Sequence, residues 1–146
     1  MSIRTAQDLR DAYRMFSEAA LANPNATLDE MRANAEGFGE MTAEPAGVKY
    51  EKVDAGGVPA IMVTPDGAHA DRVLQYTHGG GYVFCSANSH KRMAGHIAKA
   101  IGCRALVLDY RLAPEHPHPA PVNDAVTAYR WLLSQGIKAE HIALSG

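Results

Sequence analysis

The stretch His78-Gly79-Gly80-Gly81-Tyr82 sets three adjacent glycines between an imidazole and a phenol, directly after an apolar run that ends at Thr77. Three glycines in a row are entropically costly to order. Their presence implies a need for bare backbone. Without side chains in the way, successive peptide N–H groups can turn inward at φ values that other residues avoid. Two such donors suit an anion, either a phosphate or the oxyanion of a tetrahedral acyl intermediate. The glycines are contiguous rather than spaced G-x-G-x-x-G, and no G-K-[ST] follows, which weighs against phosphate. A plain flexible turn has little use for three glycines flanked by a histidine and an aromatic residue.

A second concentration of polar groups lies in "DYRLAPEHPHPAP", where Asp109, Tyr110, Arg111 and Glu115 crowd a proline-rich turn. From the residues alone this reads as a solvated loop with incidental charges. His116 and His118 have no third ligand at a recognised metal spacing, so they are read as surface-loop histidines and no metal site is expected. His69, His90, His96 and His141 form no constellation. Cys85 and Cys103 lack metal spacing and are read as small buried packing residues with reduced thiols. Met15, Met31, Met41, Met62 and Met93 are read as packing residues.

The elements that position these groups follow from periodicity. Leu9, Tyr13, Phe16 and Ala20 recur at helical spacing behind a cap-like Thr5 and Asp8. A second helix opens with a capping box, Thr27 and Glu30, and ends early at Gly37 and Gly39. "NPN" at 23–25 divides the two helices. The period then shortens. Strands are expected at Val48–Val53, Val58–Thr64 and Val73–Thr77, the first two as an antiparallel hairpin at a sheet edge, where Pro59 is tolerated. A helix carrying Met93, Ile97 and Ile101 follows, with Ala94 and Ala98 beside them and Gly102 as its stop. "RALVLDY" is an unbroken apolar run, as a strand buried on both faces requires. Next comes a helix from Pro121 with Val122, Val126, Tyr129 and Leu133 on one stripe, and "HIALSG" begins another buried strand. Alternation of this kind predicts a parallel sheet with helices on its faces.

The chain of 146 residues is 47% hydrophobic and 21% charged with a net charge of −2, a composition for one globular domain rather than disorder. No basic field points to nucleic acid, and no apolar run approaches a membrane span. The polar start "MSIRTAQDLRDAYRMF" has no apolar signal-peptide core, so a cytoplasmic location is expected. A homo-oligomer is left open. A final parallel strand with no helix after it would leave an apolar edge and an uncovered face. The 146 residues are therefore expected to be part of a longer protein, and insoluble or molten when expressed alone.

"HGGGYVFCSANSH", followed by "ALVLDYRLAPEHPHPAPVNDAVTAYRWL", resembles the hormone-sensitive-lipase-like branch of the α/β-hydrolases, bacterial esterases and lipases that cleave carboxylic esters with a serine nucleophile. The resemblance runs from about Arg72 to Gly146. It implies an α/β-hydrolase fold: a mostly parallel sheet with flanking helices and an N-terminal helical cap. Residues 1–45 would be the cap and 46–146 the N-terminal half of the catalytic domain.

The resemblance also implies roles. The N–H groups of Gly80 and Gly81 would form most of an oxyanion hole, with Gly79 allowing the sharp bend and His78 holding the loop. Tyr82 would line the pocket, and Phe16 and Phe38 on the cap could face an acyl chain, although ordinary packing under the cap is the plainer reading. Asp109, Tyr110, Arg111 and Glu115 would brace the site from behind. "LSG" at 144–146 resembles the start of the nucleophile elbow G-x-S-x-G, with Gly146 as its first glycine and the serine two residues further on. Ser145 precedes the elbow and is rejected as nucleophile. The acid and histidine of the triad would follow later still. The expected substrates are short to medium acyl esters, with no cofactor. The rival readings are a non-catalytic small-molecule-binding protein of the same fold, which lacks the triad histidine, and a nucleotide-binding domain.

Overall fold

The structure is a computed structural model that describes residues 5–146; the first four residues of the expected 1–45 cap, and the side chain of Ala20 in the expected stripe of the first helix, lie outside the described residues. Helices α1 (Ala6–Ala22) and α2 (Leu28–Glu36) come first, each opened by the capping box its sequence predicts, Thr5 with Asp8 and Thr27 with Glu30. A 3₁₀ turn over Gly37–Met41 ends the pair. There follow β1 (Val48–Asp54), β2 (Pro59–Pro65), β3 (His69–Thr77), α3 (Ala87–Ile101), β4 (Cys103–Leu108), α4 (Ala120–Ser134) and β5 (Ile142–Ser145).

The strands form one mixed sheet in the order β1-β2-β4-β3-β5. β2 runs antiparallel to both its neighbours, whereas β3 is parallel to β4 and to β5. Pro59 therefore opens a strand in the sheet interior, and β1 is the edge of the hairpin. As the first residue of β2, Pro59 needs no N–H, and its carbonyl accepts from Asp109 N–H at 2.8 Å.

Alternation along the inner strands splits the core in two. Ala60 and Met62 of β2, with Leu106 and Leu108 of β4, pack on one face with Ala128 and Leu132 of α4. Ile61 and Val63, with Ala105 and Val107, pack on the other face with Ala87, Ala94 and Ala98 of α3. β4 reads as an unbroken apolar run because both of its faces are covered.

Three expected apolar surfaces lie elsewhere. α3 buries Ala94, Gly95 and Ala98, while Met93 and Ile101 face outward. α4 buries Pro121, Asp124, Ala128 and Leu132, and the expected stripe of Val122, Val126 and Leu133 is exposed. On α3 small residues let the helix backbone approach the sheet closely, whereas α4 meets the sheet through Ala128 and the larger Leu132. β5 is also less buried than its apolar sequence suggests: it pairs with β3 at the sheet edge, and Leu144 keeps 68% of its surface exposed.

α3 also fastens the segment that leads from the helical pair into the sheet. Arg92 donates to the carbonyls of Gly39 and Thr42, His96 to Ala43 at 2.9 Å and Lys99 to Ala46 at 2.6 Å. Successive carbonyls are thus taken up along one helix face. Arg92 adds ion pairs to Glu40 and Glu44.

Candidate active site

The site lies where the C-terminal ends of three neighbouring parallel strands meet. β3 leads into His78, β4 into Asp109 and β5 into Gly146. Their register sets Thr77 beside Leu108 and Tyr76 beside Ser145. Thr77 Oγ1 donates to the Ser145 carbonyl at 3.2 Å. Gly146 is so close to Thr77 that a Cβ there would stand 2.6 Å from its carbonyl oxygen. The glycine loop after β3 therefore sits between the Asp109 turn and the end of β5, in the crevice at strand ends where open α/β sheets bind ligands.

Within the loop, two peptide planes are fixed by what their carbonyls bond to. The Gly79 carbonyl only accepts, so the contact at 2.8 Å makes His78 Nδ1–H the donor. The Gly80 carbonyl accepts from Val83 N–H at 3.1 Å and Phe84 N–H at 3.0 Å. In a trans peptide the C=O and the following N–H point in opposite directions. The Gly80 N–H is thereby aimed away from the His78 ring, and the Gly81 N–H away from the 83–84 turn. Among the described residues neither amide has an acceptor. Left-handed backbone angles fall at Gly80 (φ +122°) and Gly81 (φ +61°) and continue into Tyr82 (φ +63°). The bend expected at Gly79 is thus made by its two successors. A Cβ on Gly80 would also run into the Phe84 carbonyl carbon at 2.7 Å and into its oxygen.

His78 is buried and stacks on Tyr110, ring centroids 4.2 Å apart. Tyr110 Oη donates to the His78 carbonyl at 2.6 Å. With Nδ1–H given to Gly79, His78 Nε2 is an acceptor, and it has no partner among the described residues. His90, the second imidazole here, has its ring 5.7 Å from that of His78. The Ser89 hydroxyl spends its hydrogen on the Ser86 carbonyl, so it accepts from His90 Nδ1–H at 3.0 Å. Burial lowers the pKa of both histidines, and the proximity of His78 lowers that of His90 further. The sequence offers no constellation for His90; its nearness to Gly79 arises from the turn into α3.

Asp109, Tyr110, Arg111 and Glu115 do not form one bracing cluster. Each ties the turn to a different element. Asp109 accepts from Ala87 N–H at the start of α3, 3.0 Å. Tyr110 holds the glycine loop. Arg111 makes a two-pronged pair with Asp124 of α4, Nη2 to Oδ1 at 2.7 Å and Nε to Oδ2 at 3.0 Å, and Asp124 also accepts Arg111 N–H. Burial opposes ionisation of Asp124, but the bonds from Arg111 together outweigh it and hold the carboxyl below its ordinary value. Glu115 pairs with Arg32 of α2, which brings its pKa down to about 2.

Arg32 is the residue that sequence reasoning missed most completely. Its Nε donates to the Val83 carbonyl at 2.9 Å, Nη2 to the Ala113 carbonyl at 2.8 Å, and Nη1 and Nη2 to the two Glu115 oxygens at 2.8 and 2.7 Å. One turn further along α2, Glu36 accepts from the Ser86 hydroxyl at 2.8 Å, and Ser86 caps α3. The i, i+4 spacing of Arg32 and Glu36 is visible in the chain, but their partners lie 83 and 50 residues away. Asp124 did carry a signal, an acid on the stripe with Pro121 and Ala128.

Two cavities open on the Gly80 side of the loop. One, of about 750 Å³, is lined by Gly79, Gly80, Phe38, His90 and Met93 among others. The second, of about 420 Å³, is lined by Gly80, Phe84, Phe16, Phe38 and Met31 among others. Phe16 and Phe38 stack with centroids 4.5 Å apart. Tyr82 is on the other side, exposed, in a cavity of about 290 Å³ with Gly81, Ala113 and Pro121. The arrangement can place an uncharged, partly apolar molecule against two unpaired N–H donors. Among the described residues no group of three or more metal-binding side chains comes together.

A family model described as the alpha/beta hydrolase fold matches residues 74–146, and the chain belongs to that family. The likeness falls within its bacterial hormone-sensitive-lipase-like branch. An esterase of the bacterial hormone-sensitive lipase family, known from a crystal structure, is 45% identical, with a TM-score of 0.86 over 97% of this chain and 48% of its own. An acetyl-hydrolase of Streptomyces hygroscopicus is 41% identical over 112 residues, 76% of this chain and 36% of that protein. An ethyl acetate hydrolase of Pseudomonas putida is 40% identical over 85 residues, 56% of this chain and 27% of that protein. The chain spans about half the length of the solved relative and about a third of the curated ones.

Proposed function

We propose that this chain carries the oxyanion-binding part of a serine carboxylic ester hydrolase. In the full-length protein a serine two residues beyond Gly146 attacks the ester carbonyl, and a histidine accepts its proton. The carbonyl oxygen becomes an oxyanion held by the N–H groups of Gly80 and Gly81 and by the amide after the serine. The alcohol leaves with the proton, and water then releases the acid from the acyl-enzyme. Residues 1–45 act as the cap over this site. Short to medium acyl esters are the proposed substrates, in keeping with the acetyl- and ethyl acetate hydrolases among the relatives and with Phe16 and Phe38 beside Gly80. The reaction calls on no cofactor. Among the described residues no helix is long and apolar enough to cross a membrane. A cytoplasmic location is part of the proposal, since it keeps the free thiols Cys85 and Cys103 reduced.

The observation that carries the reading is the pair of glycine amides, aimed by bonded carbonyls and lacking acceptors of their own, at the strand ends beside Gly146. The test is hydrolysis of p-nitrophenyl acetate and butyrate by the full-length protein, with labelling by a fluorophosphonate. Turnover and a label on the serine two residues past Gly146 are expected. Binding of the ester without turnover would instead favour a non-catalytic receptor, and no binding at all would overturn both readings.

A further inference from the structure

We propose that Arg32 is a positioning residue, through which the docking of α2 sets the aim of the glycine-loop amides. The inference rests on the esterase reading for its kinetic part. It concerns a residue that touches neither of the two amides.

The path is short. Arg32 Nε holds the carbonyl of Val83, and the N–H of Val83 holds the carbonyl of Gly80. That carbonyl belongs to the peptide whose N–H is Gly81's. The same guanidinium holds the Ala113 carbonyl, and the Ala113 N–H donates to the Tyr82 carbonyl at 2.8 Å. Arg32 thus grips the loop directly at Val83 and, through Ala113, at Tyr82, on both sides of one peptide. Four guanidinium hydrogens are engaged at once by three residues. A planar fork fixes direction in a way that a lysine ammonium cannot.

An ordinary surface ion pair does not account for this. Glu115 is half exposed, and such a pair by itself contributes little to stability. What the geometry adds is one guanidinium that anchors two loops to α2 at once, at the Val83 and Ala113 carbonyls. Tyr82 follows Gly80 and Gly81 and is itself left-handed (φ +63°), a conformation that in a residue other than glycine needs outside support to keep its shape.

The experiment uses the full-length protein and p-nitrophenyl acetate. Arg32→Ala is expected to lower kcat about ten- to hundredfold, the cost of misplacing a catalytic group by a fraction of an ångström to an ångström. KM should stay within about twofold, since ground-state binding is untouched. The inhibition constant of phenylboronic acid, whose serine adduct is tetrahedral and anionic, should rise by the factor by which kcat/KM falls. Arg32→Lys keeps the charge facing Glu115 and should lose an intermediate factor. An unchanged kcat, or a loss confined to KM, overturns the inference. If Arg32→Ala does not fold, Arg32→Lys decides on the same readouts.

A second measurement separates this inference from the reading beneath it. Amide hydrogen exchange at Val83 and Phe84 should quicken about tenfold in Arg32→Ala whether or not the protein cleaves esters. Unaltered exchange would refute the positioning role even in an active esterase. Faster exchange in a protein that turns over no ester would leave the positioning intact and remove the esterase.

Discussion

At the scale of single residues, the two imidazoles behind the glycine loop make its order depend on pH. Both have pKa values below the ordinary 6.5, chiefly through burial. Above pH 6.5 the histidines are neutral in folded and unfolded chains alike, and their contribution to stability is complete. As the pH falls below 6.5 the unfolded chain takes up protons first, so stability is lost progressively down to the folded-state pKa. NMR titration of the full-length protein should give midpoints below 6.5 for His78 and His90. A midpoint at or above 6.5 for His78 would contradict the burial described, since its bond to the Gly79 carbonyl acts in the opposite direction. The motif at 78–82 was legible as a site because contiguous glycines advertise a backbone task. Arg32 was not, because an arginine on a short polar helix looks like any solvated charge until the fold brings Val83 and Ala113 to it.

At the scale of elements, capping boxes, helix stops and the doubly buried β4 were all readable, since each is written in adjacent residues. The buried faces of α3 and α4 were not. α4 buries Ala128 and Leu132 instead of the stripe of Val122, Val126 and Leu133. α3 carries two apolar stripes, one of large residues and one of small ones, and periodicity favours the large; the structure buries the small one, with Ile97 packed beside it. Gly95 shows why: a Cβ there would lie 2.9 Å from Pro45 Cγ and 3.3 Å from Tyr50 Oη. The helix is seated at backbone distance, and any side chain would push it outward. Gly95→Val should therefore destabilise the full-length protein by about 1–3 kcal/mol, the usual cost of overpacking, as measured by urea denaturation. A neutral or stabilising effect would show that the contact yields easily.

At the scale of the whole molecule, the sheet has one edge guarded and one open. β1 at its edge carries Lys49, Glu51 and Lys52, the kind of charge that discourages further pairing. β5, which among the described residues pairs with β3 alone, offers Ile142, Ala143 and Leu144 at the other edge. The outward stripe of α4, with Val122, Val126 and Leu133, adds apolar surface. A polypeptide of these 146 residues alone is expected to aggregate or to bind a hydrophobic dye such as ANS. A monomer that melts sharply without dye binding would overturn that expectation. The family was legible at this scale from two motifs far apart in the chain. The division of labour inside the second was not, because its four polar residues turn to four different partners.

The two unpaired donors of the loop belong to the main chain, and that has a consequence for how they could change. Among the coded residues only proline lacks the peptide hydrogen, and its φ of about −65° fits neither Gly80 (φ +122°) nor Gly81 (φ +61°), while Gly80 admits no side chain at all. Mutation, whether in nature or in the laboratory, can reach such donors only through the neighbours that steer them: an imidazole, a phenol, a guanidinium. Chemical synthesis alone, exchanging a backbone nitrogen for oxygen, would remove one donor and leave its steering intact.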